Sequence, residues 1–260
     1  MRTVGILGET FAVAGEWDEL TDEQLVYLAE LLKMGCMVQE VKVKMLLFAL
    51  SARVRSEDSA LATEYAVRLK KGTVRLRADE LYVLSTVFDY LFDDGGQLDV
   101  RLTENPFPCL AVDGGVLCGP GAALEDVCYG QFVLLQSYLS AVRKEASYVD
   151  VFLSVLWKKG SYRAVEEGDV SMFAGLEEEV KTVMLWYYVG SLRALRLRFP
   201  RVFSGNGSEG EDVFGDQMRI VEALSDGDVT KMEQVKRSML YDVLYGLEYG
   251  IERSEKKPRR

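Results

Sequence analysis

Four cysteines, a glycine-rich run and two acidic segments are the parts of this chain whose residue types could support chemistry. The cysteines are Cys36, Cys109, Cys118 and Cys128. None belongs to a C-x-x-C pair, and their spacing matches no common zinc pattern, so an all-cysteine metal site is not expected. Cys128 is expected to pack as a small hydrophobe. The run Gly114-Gly115-Val116-Leu117-Cys118-Gly119-Pro120-Gly121 precedes a predicted helix. A phosphate cradle there would need G-x-x-x-x-G-K-[ST], and a dinucleotide turn G-x-G-x-x-G. Gly119-Pro120-Gly121-Ala122-Ala123-Leu124 lacks the third glycine and no lysine follows, so these glycines read as turn formers. Asp226-Gly227-Asp228-Val229-Thr230 opens like a calcium loop, but its glycine is misplaced and Arg237 stands where a bidentate glutamate would close the site. Helix capping is the better account. Glu177-Glu178-Glu179 could gather round a metal, yet they fall at the start of a predicted helix, where they complement its dipole.

The chain has no histidine. Histidine is the usual general base near neutral pH and the commonest metal ligand. Its absence removes Ser-His-Asp and Cys-His catalysis and every zinc site that uses an imidazole. Carboxylates, lysine, tyrosine and cysteine remain available, but no catalytic, cofactor or metal residue is assigned, and the chain is not expected to be an enzyme. With 31 Lys+Arg against 41 Asp+Glu, the formal net charge of −10 opposes a phosphate backbone, so no nucleic-acid partner is expected. The basic end, 252–260, reads as a flexible tail. No run reaches the length of a membrane span and no secretory signal opens the sequence, so reduced thiols, no membrane and a cytoplasmic location are expected.

The elements that would position these residues are mostly helical. Val4 and Ile6, then Phe11 and Val13, predict a short strand or hairpin on either side of Gly8. Thr21 with Gln24 spells a capping box, and Leu20 with Leu25 a hydrophobic staple, for a helix that buries Leu25, Leu28, Ala29 and Leu32 and stops at Gly35. A second helix carries Val38, Val41, Met45, Phe48 and Ala49. Tyr65, Val67 and Leu69 alternate, turn at Lys71-Gly72, and return through Val74 and Leu76 as a β-hairpin. Leu81, Leu84, Phe88, Leu91 and Phe92 mark the next helix. Residues 97–124 hold three of the five prolines and read as a long loop. Three further helices follow, over about 128–142, 149–157 and 176–197, with Pro200 after the last and an acidic loop at 204–212. Trp17, Trp157 and Trp186 are expected in the core.

The last predicted helix starts near Thr230, with Glu233 placed for a capping box. Val235, Met239, Leu240, Val243, Leu244, Leu247 and Ile251 cover about half its circumference. Gly246 and Gly250 lie within that face, where glycine weakens a helix and the close approach of another backbone would compensate. Tyr241, Tyr245 and Tyr249 form a stripe along one edge. Tyrosine is enriched in interfaces because it offers area with little rotamer entropy, although the same rings could simply widen the core face.

Several segments together resemble a family. Trp17-Asp18-Glu19-Leu20-Thr21 with Gln24-Leu25 is similar to the opening W-x-E-L-T-x-x-Q-L of small proteins encoded in tail-gene regions of phages and prophages of Bacteroidales-type bacteria. Leu102-Thr103-Glu104-Asn105-Pro106-Phe107-Pro108, then Gly119-Pro120 and Tyr129-Gly130-Gln131-Phe132, resembles their L-T-x-N-P-x-P … G-P … F-x-E-F stretch, with Gln131 where an acid is often found. Gly227-Asp228-Val229-Thr230-Lys231 is also similar. The family resembles tail-assembly chaperones, which coat tape-measure or tail-tube subunits during assembly. The resemblance implies a protein partner of that kind and no catalytic residues.

The expected fold is therefore an α-rich α+β protein. It comprises a short N-terminal strand unit, one β-hairpin and about seven helices, in one domain over 1–260 with a sub-boundary allowed in 94–124. The expected function is non-enzymatic assembly, with partner binding through Tyr241, Tyr245 and Tyr249 and self-association into a homo-oligomer left open. The alternatives are a virion structural component and a carboxylate enzyme using Mg²⁺.

Overall fold

The computed structural model describes residues 1–6, 9–51, 53–55, 64–69, 72–160, 165–203 and 213–256. The fold is α+β and predominantly helical. The predicted acidic loop at 204–212 and the end of the tail, 257–260, lie outside the described residues. The chain forms two compact units, Met1–Arg101 and Leu102–Arg260, divided inside the segment 94–124.

The first unit opens with an antiparallel hairpin of β1 (Arg2–Ile6) and β2 (Glu9–Val13), which buries Val4, Ile6 and Val13. Helix α1 (Asp22–Lys33) begins at the predicted capping box. The Gln24 amide donates to Thr21 Oγ1 at 3.3 Å and the Thr21 amide to Gln24 Oε1 at 3.0 Å. The helix ends at Gly35, whose φ of 71° lets its amide reach the Leu32 carbonyl and that of Cys36 the Leu31 carbonyl, a Schellman closure. Leu25, Leu28, Ala29 and Leu31 are buried; Leu31, rather than the expected Leu32, completes the inward face.

Helix α2 (Val38–Ala49) buries Val41, Met45 and Leu46. Phe48, expected in the core, is 39% exposed, because its ring lies stacked on Tyr27 with centroids 4.5 Å apart and its other face stays open. Three antiparallel strands follow in the order β3 (Arg53–Arg55), β4 (Glu64–Leu69) and β5 (Gly72–Arg77). The predicted hairpin is β4–β5, and β3, which was not predicted, pairs antiparallel with β4. Helix α3 (Ala78–Ser85) tightens into a 3₁₀ turn over Thr86–Leu91 that buries Phe88 and Leu91.

In the second unit the expected long loop contains a second hairpin, β6 (Cys109–Val112) with β7 (Gly115–Cys118). It turns at Asp113-Gly114, with φ 96° at Gly114, and a later strand, β8 (Lys158–Lys159), adds to β7. Helices α4 (Tyr129–Lys144), α5 (Val149–Leu156) and α6 (Glu178–Arg198) then build the core. Phe152 meets Tyr188 edge-on at 4.9 Å, and Trp157 meets Tyr187 edge-on at 5.8 Å. Trp17 and Trp157 are fully buried in their respective units, and Trp186 is 9% exposed. Helix α7 (Val213–Leu224), absent from the sequence reading, precedes α8 (Val229–Arg237) and α9 (Leu240–Glu255).

The predicted last helix is therefore two. Ser238 and Met239 are extended, with ψ 151° and 139°, and pair with the chain entering α4. The Tyr129 amide donates to the Ser238 carbonyl at 2.8 Å, and the Leu240 amide to the Val127 carbonyl at 2.9 Å. The α8 cap is also not the expected one. Asp228 Oδ1 accepts from the Thr230 amide at 2.9 Å, while Glu233 pairs with Lys236 at 3.1 Å. Residues 252–255, expected in a flexible tail, form the last turn of α9.

Candidate functional site

The three tyrosines of α9 serve different ends. Leu240 and Leu244 turn inward and are fully buried, which rotates the opposite face, Asp242, Tyr245, Gly246, Tyr249, Gly250 and Arg253, to the outside. That spacing of three and four residues is one continuous helical stripe. Tyr241 is not on it. Its ring packs edge-on against Phe199 at 5.8 Å, and its hydroxyl donates to the Ala123 carbonyl at 3.0 Å. Burial raises its phenol pKa above the ordinary value.

The carbonyl that Tyr241 holds belongs to an unusual turn. Ala123 and Leu124 both have positive φ, 49° and 62°. Two successive non-glycine residues in the left-handed region cost roughly 1–3 kcal/mol each and persist only where the surroundings over-determine them. Here Tyr187 Oη donates to the Gly121 carbonyl at 2.5 Å and accepts from the Leu124 amide at 3.2 Å. The Ala123 amide donates to the Thr103 carbonyl at 2.8 Å. Tyr241 completes that cage, which sets it apart from the two tyrosines of the outer stripe.

Tyr245 and Tyr249 are 48% and 61% exposed. The end of α6 frames Tyr245. Arg198 Nε donates to Tyr245 Oη at 3.0 Å, and its guanidinium lies 5.1 Å from the Tyr241 ring centroid and 5.4 Å from that of Tyr245. Phe199 backs Tyr245 edge-on at 4.9 Å. Arg201 reaches Glu248 at 3.1 Å and Glu255 at 3.3 Å, clamping the next turns of α9. Arg253 stands over Tyr249 at 5.7 Å. The arginines before and after Pro200 were the available signal: Arg198-Phe199-Pro200-Arg201 follows an apolar helix with an aromatic flanked by cations.

Gly246 and Gly250 face open space, where an added Cβ would meet nothing within 4 Å. The close approach expected of them occurs instead at Gly190 and Gly119. A Cβ on Gly190 would lie 2.1 Å from the Leu102 carbonyl oxygen, and one on Gly119 would lie 2.2 Å from Trp157 Nε1. The segments behind the family resemblance are joints of the same kind. Asn105 Nδ2 donates to the Pro120 carbonyl at 2.7 Å, and its Oδ1 accepts from the Phe107 amide at 3.0 Å. Buried Gln131 accepts from the Cys128 amide at 3.2 Å and donates to the Val155 carbonyl at 3.0 Å.

The residues read as chemical candidates take structural positions. Glu178 pairs with Lys181 at 3.2 Å in the first turn of α6, and Lys181 also reaches Asp150 at 2.8 Å. Gly114 serves the β6–β7 turn. Among the described residues no group of three or more Cys, Asp or Glu is placed to hold a metal ion, and no helix is long and apolar enough to cross a membrane. A cleft of about 520 Å³ beside Val112, Asp113, Ser171 and Met172 presents Asp113 as its one ionisable side chain among the described residues. No family model matches the chain, and neither does any curated protein or solved structure.

Proposed function

We propose that this chain is a non-enzymatic phage or prophage assembly protein that acts in tail assembly by binding a structural partner, such as a tape-measure or tail-tube subunit, on the outer stripe of α9. The observation that carries this reading is the stripe itself. Two half-exposed tyrosines alternate with two glycines that leave bare backbone, and arginines stand at both ends. A partner helix can approach closely over Gly246 and Gly250 while Tyr245 and Tyr249 close over its sides. The resemblance points to the same reading, and two of the positions that carry it, Asn105 and Gly119, sit at tight joints of the fold.

Pull-down with a tape-measure or tail-tube subunit tests the surface. Tyr245→Ser with Tyr249→Ser is expected to cost about 2 kcal/mol per buried tyrosine, a roughly 30-fold weaker Kd for each. Undiminished recovery by the folded double variant rejects the surface. An assembly factor is also expected to be missing from purified particles by mass spectrometry, whereas a virion component would be retained there.

A further inference from the structure

We propose that Cys109 and Cys118 are a redox-responsive thiol pair that hydrogen peroxide closes into a disulfide across the β6–β7 hairpin. The two residues are direct partners in the antiparallel register, and their sulfurs lie 3.9 Å apart. The kind of pair matters. The Gly119 amide donates to the Pro108 carbonyl at 3.0 Å, which makes the next pair along, Pro108 with Gly119, the hydrogen-bonded one. Bonded and non-bonded pairs alternate along an antiparallel ladder, so Cys109 and Cys118 form a non-bonded pair. Such pairs hold their Cα atoms about 4.5 Å apart, inside the 4.4–6.8 Å range that a disulfide spans. The bond then needs side-chain rotation and no new backbone path.

Access favours the same pair. Cys109 is exposed and Cys118 half-buried, whereas Cys128 is buried and hydrogen-bonded to Gln131. Cys109 is therefore the thiol that meets the oxidant. Its thiolate attacks one peroxide oxygen, the O–O bond breaks, and a sulfenic acid and hydroxide result, the hydroxide leaving as water with the proton Cys109 gave up. The Cys118 thiolate then attacks that sulfur, the S–O bond breaks, and a second water leaves with the proton Cys118 gave up. Two thiols lose two electrons and the peroxide gains them. The disulfide ties β6 to β7 at the end opposite the Asp113-Gly114 turn. Strand β8 pairs with β7 at the same place, Lys158 opposite Cys118.

The test uses the full chain, treated with hydrogen peroxide, quenched, and titrated for free thiols after denaturation. The expected result is a fall from four thiols to two, with an intact mass lower by two hydrogens. Peptide mapping should join Cys109 to Cys118, and dithiothreitol should restore all four thiols. Cys36→Ser is expected to lose the same two thiols. Cys109→Ser and Cys118→Ser are each expected to form no intramolecular link. The oxidised wild type should melt several degrees above the reduced chain, a gain missing from Cys109→Ser. Four thiols retained after treatment, a link to Cys36 or Cys128, or a disulfide-joined dimer on a non-reducing gel would each overturn the proposal.

Discussion

Glycine at position 190 and glycine at positions 246 and 250 are the same residue in helix interiors with opposite consequences. In open space an alanine gains about 0.5–1 kcal/mol of helix stability over glycine. Gly246→Ala and Gly250→Ala are therefore expected to raise the midpoint of urea unfolding. If α9 carries the partner surface, the same changes should weaken partner capture, because a methyl then stands where a backbone must approach. At Gly190 a methyl would sit 2.1 Å from the Leu102 carbonyl, and main chain cannot swing aside as a side-chain end can. Gly190→Ala is expected to lose about 1–3 kcal/mol despite the helix gain, the usual cost of overpacking a tight contact. Tyr241→Phe should lose about 1–2 kcal/mol, since the Ala123 carbonyl loses its donor, while Tyr249→Phe should change stability by less than about 0.5 kcal/mol. The Thr21–Gln24 cap was legible because its partners are three residues apart. The Gly190 contact and the Arg198–Tyr245 bond were not, since each joins residues far apart in sequence.

Elements were legible where one apolar period ran unbroken to a clear stop, as in α1 with its cap and Gly35. They were lost where tertiary partners supplied the backbone bonds. Val235 to Ile251 kept a helical period through Ser238 and Met239, yet the chain entering α4 takes those backbone groups and breaks the helix in two. The β6–β7 hairpin was hidden because prolines and glycines crowd its ends, and the Cys109–Cys118 pairing was hidden with it. The α8 cap offers a direct check. Asp228→Ala should lower the melting temperature, because Thr230 loses its acceptor, whereas Glu233→Ala at the expected capping position should leave it unchanged. The hydrogen bond from Thr230 also holds the Asp228 carboxyl below its ordinary pKa. Its contribution is thus present above the unfolded carboxylate range and is lost as pH falls through the lowered value.

For the molecule as a whole, an α-rich α+β class followed from the dominance of helical periods, but the division between Arg101 and Leu102 has no local marker. Composition sets the pH response more plainly. With no imidazole in the chain, no histidine contributes to the pH dependence of stability in the neutral range. The alkaline side is different. Burial raises the phenol pKa of Tyr129, Tyr187 and Tyr188 above the ordinary 10.0. A raised folded value means their contribution is complete below about pH 10, where the unfolded phenol is still protonated, and is lost above it. Each tyrosine adds a limiting slope of about 1.4 kcal/mol per pH unit, so the three together should remove about 4 kcal/mol per unit. Urea unfolding of the second unit across a pH series, followed beside phenolate absorbance, measures this. A stability that stays level to pH 12 would contradict it.

The two-bond splice between residues 127–129 and 238–240 fixes how α9 can let go. The amide protons of Tyr129 and Leu240 sit on opposite sides of one junction, so neither can meet solvent unless that junction parts. Their deuterium uptake should follow a single opening rate, even though the two positions are separated by most of the second unit. A binder that seats on α9 would slow both signals together, reporting its arrival at the threshold of α4 as well as at its own footprint.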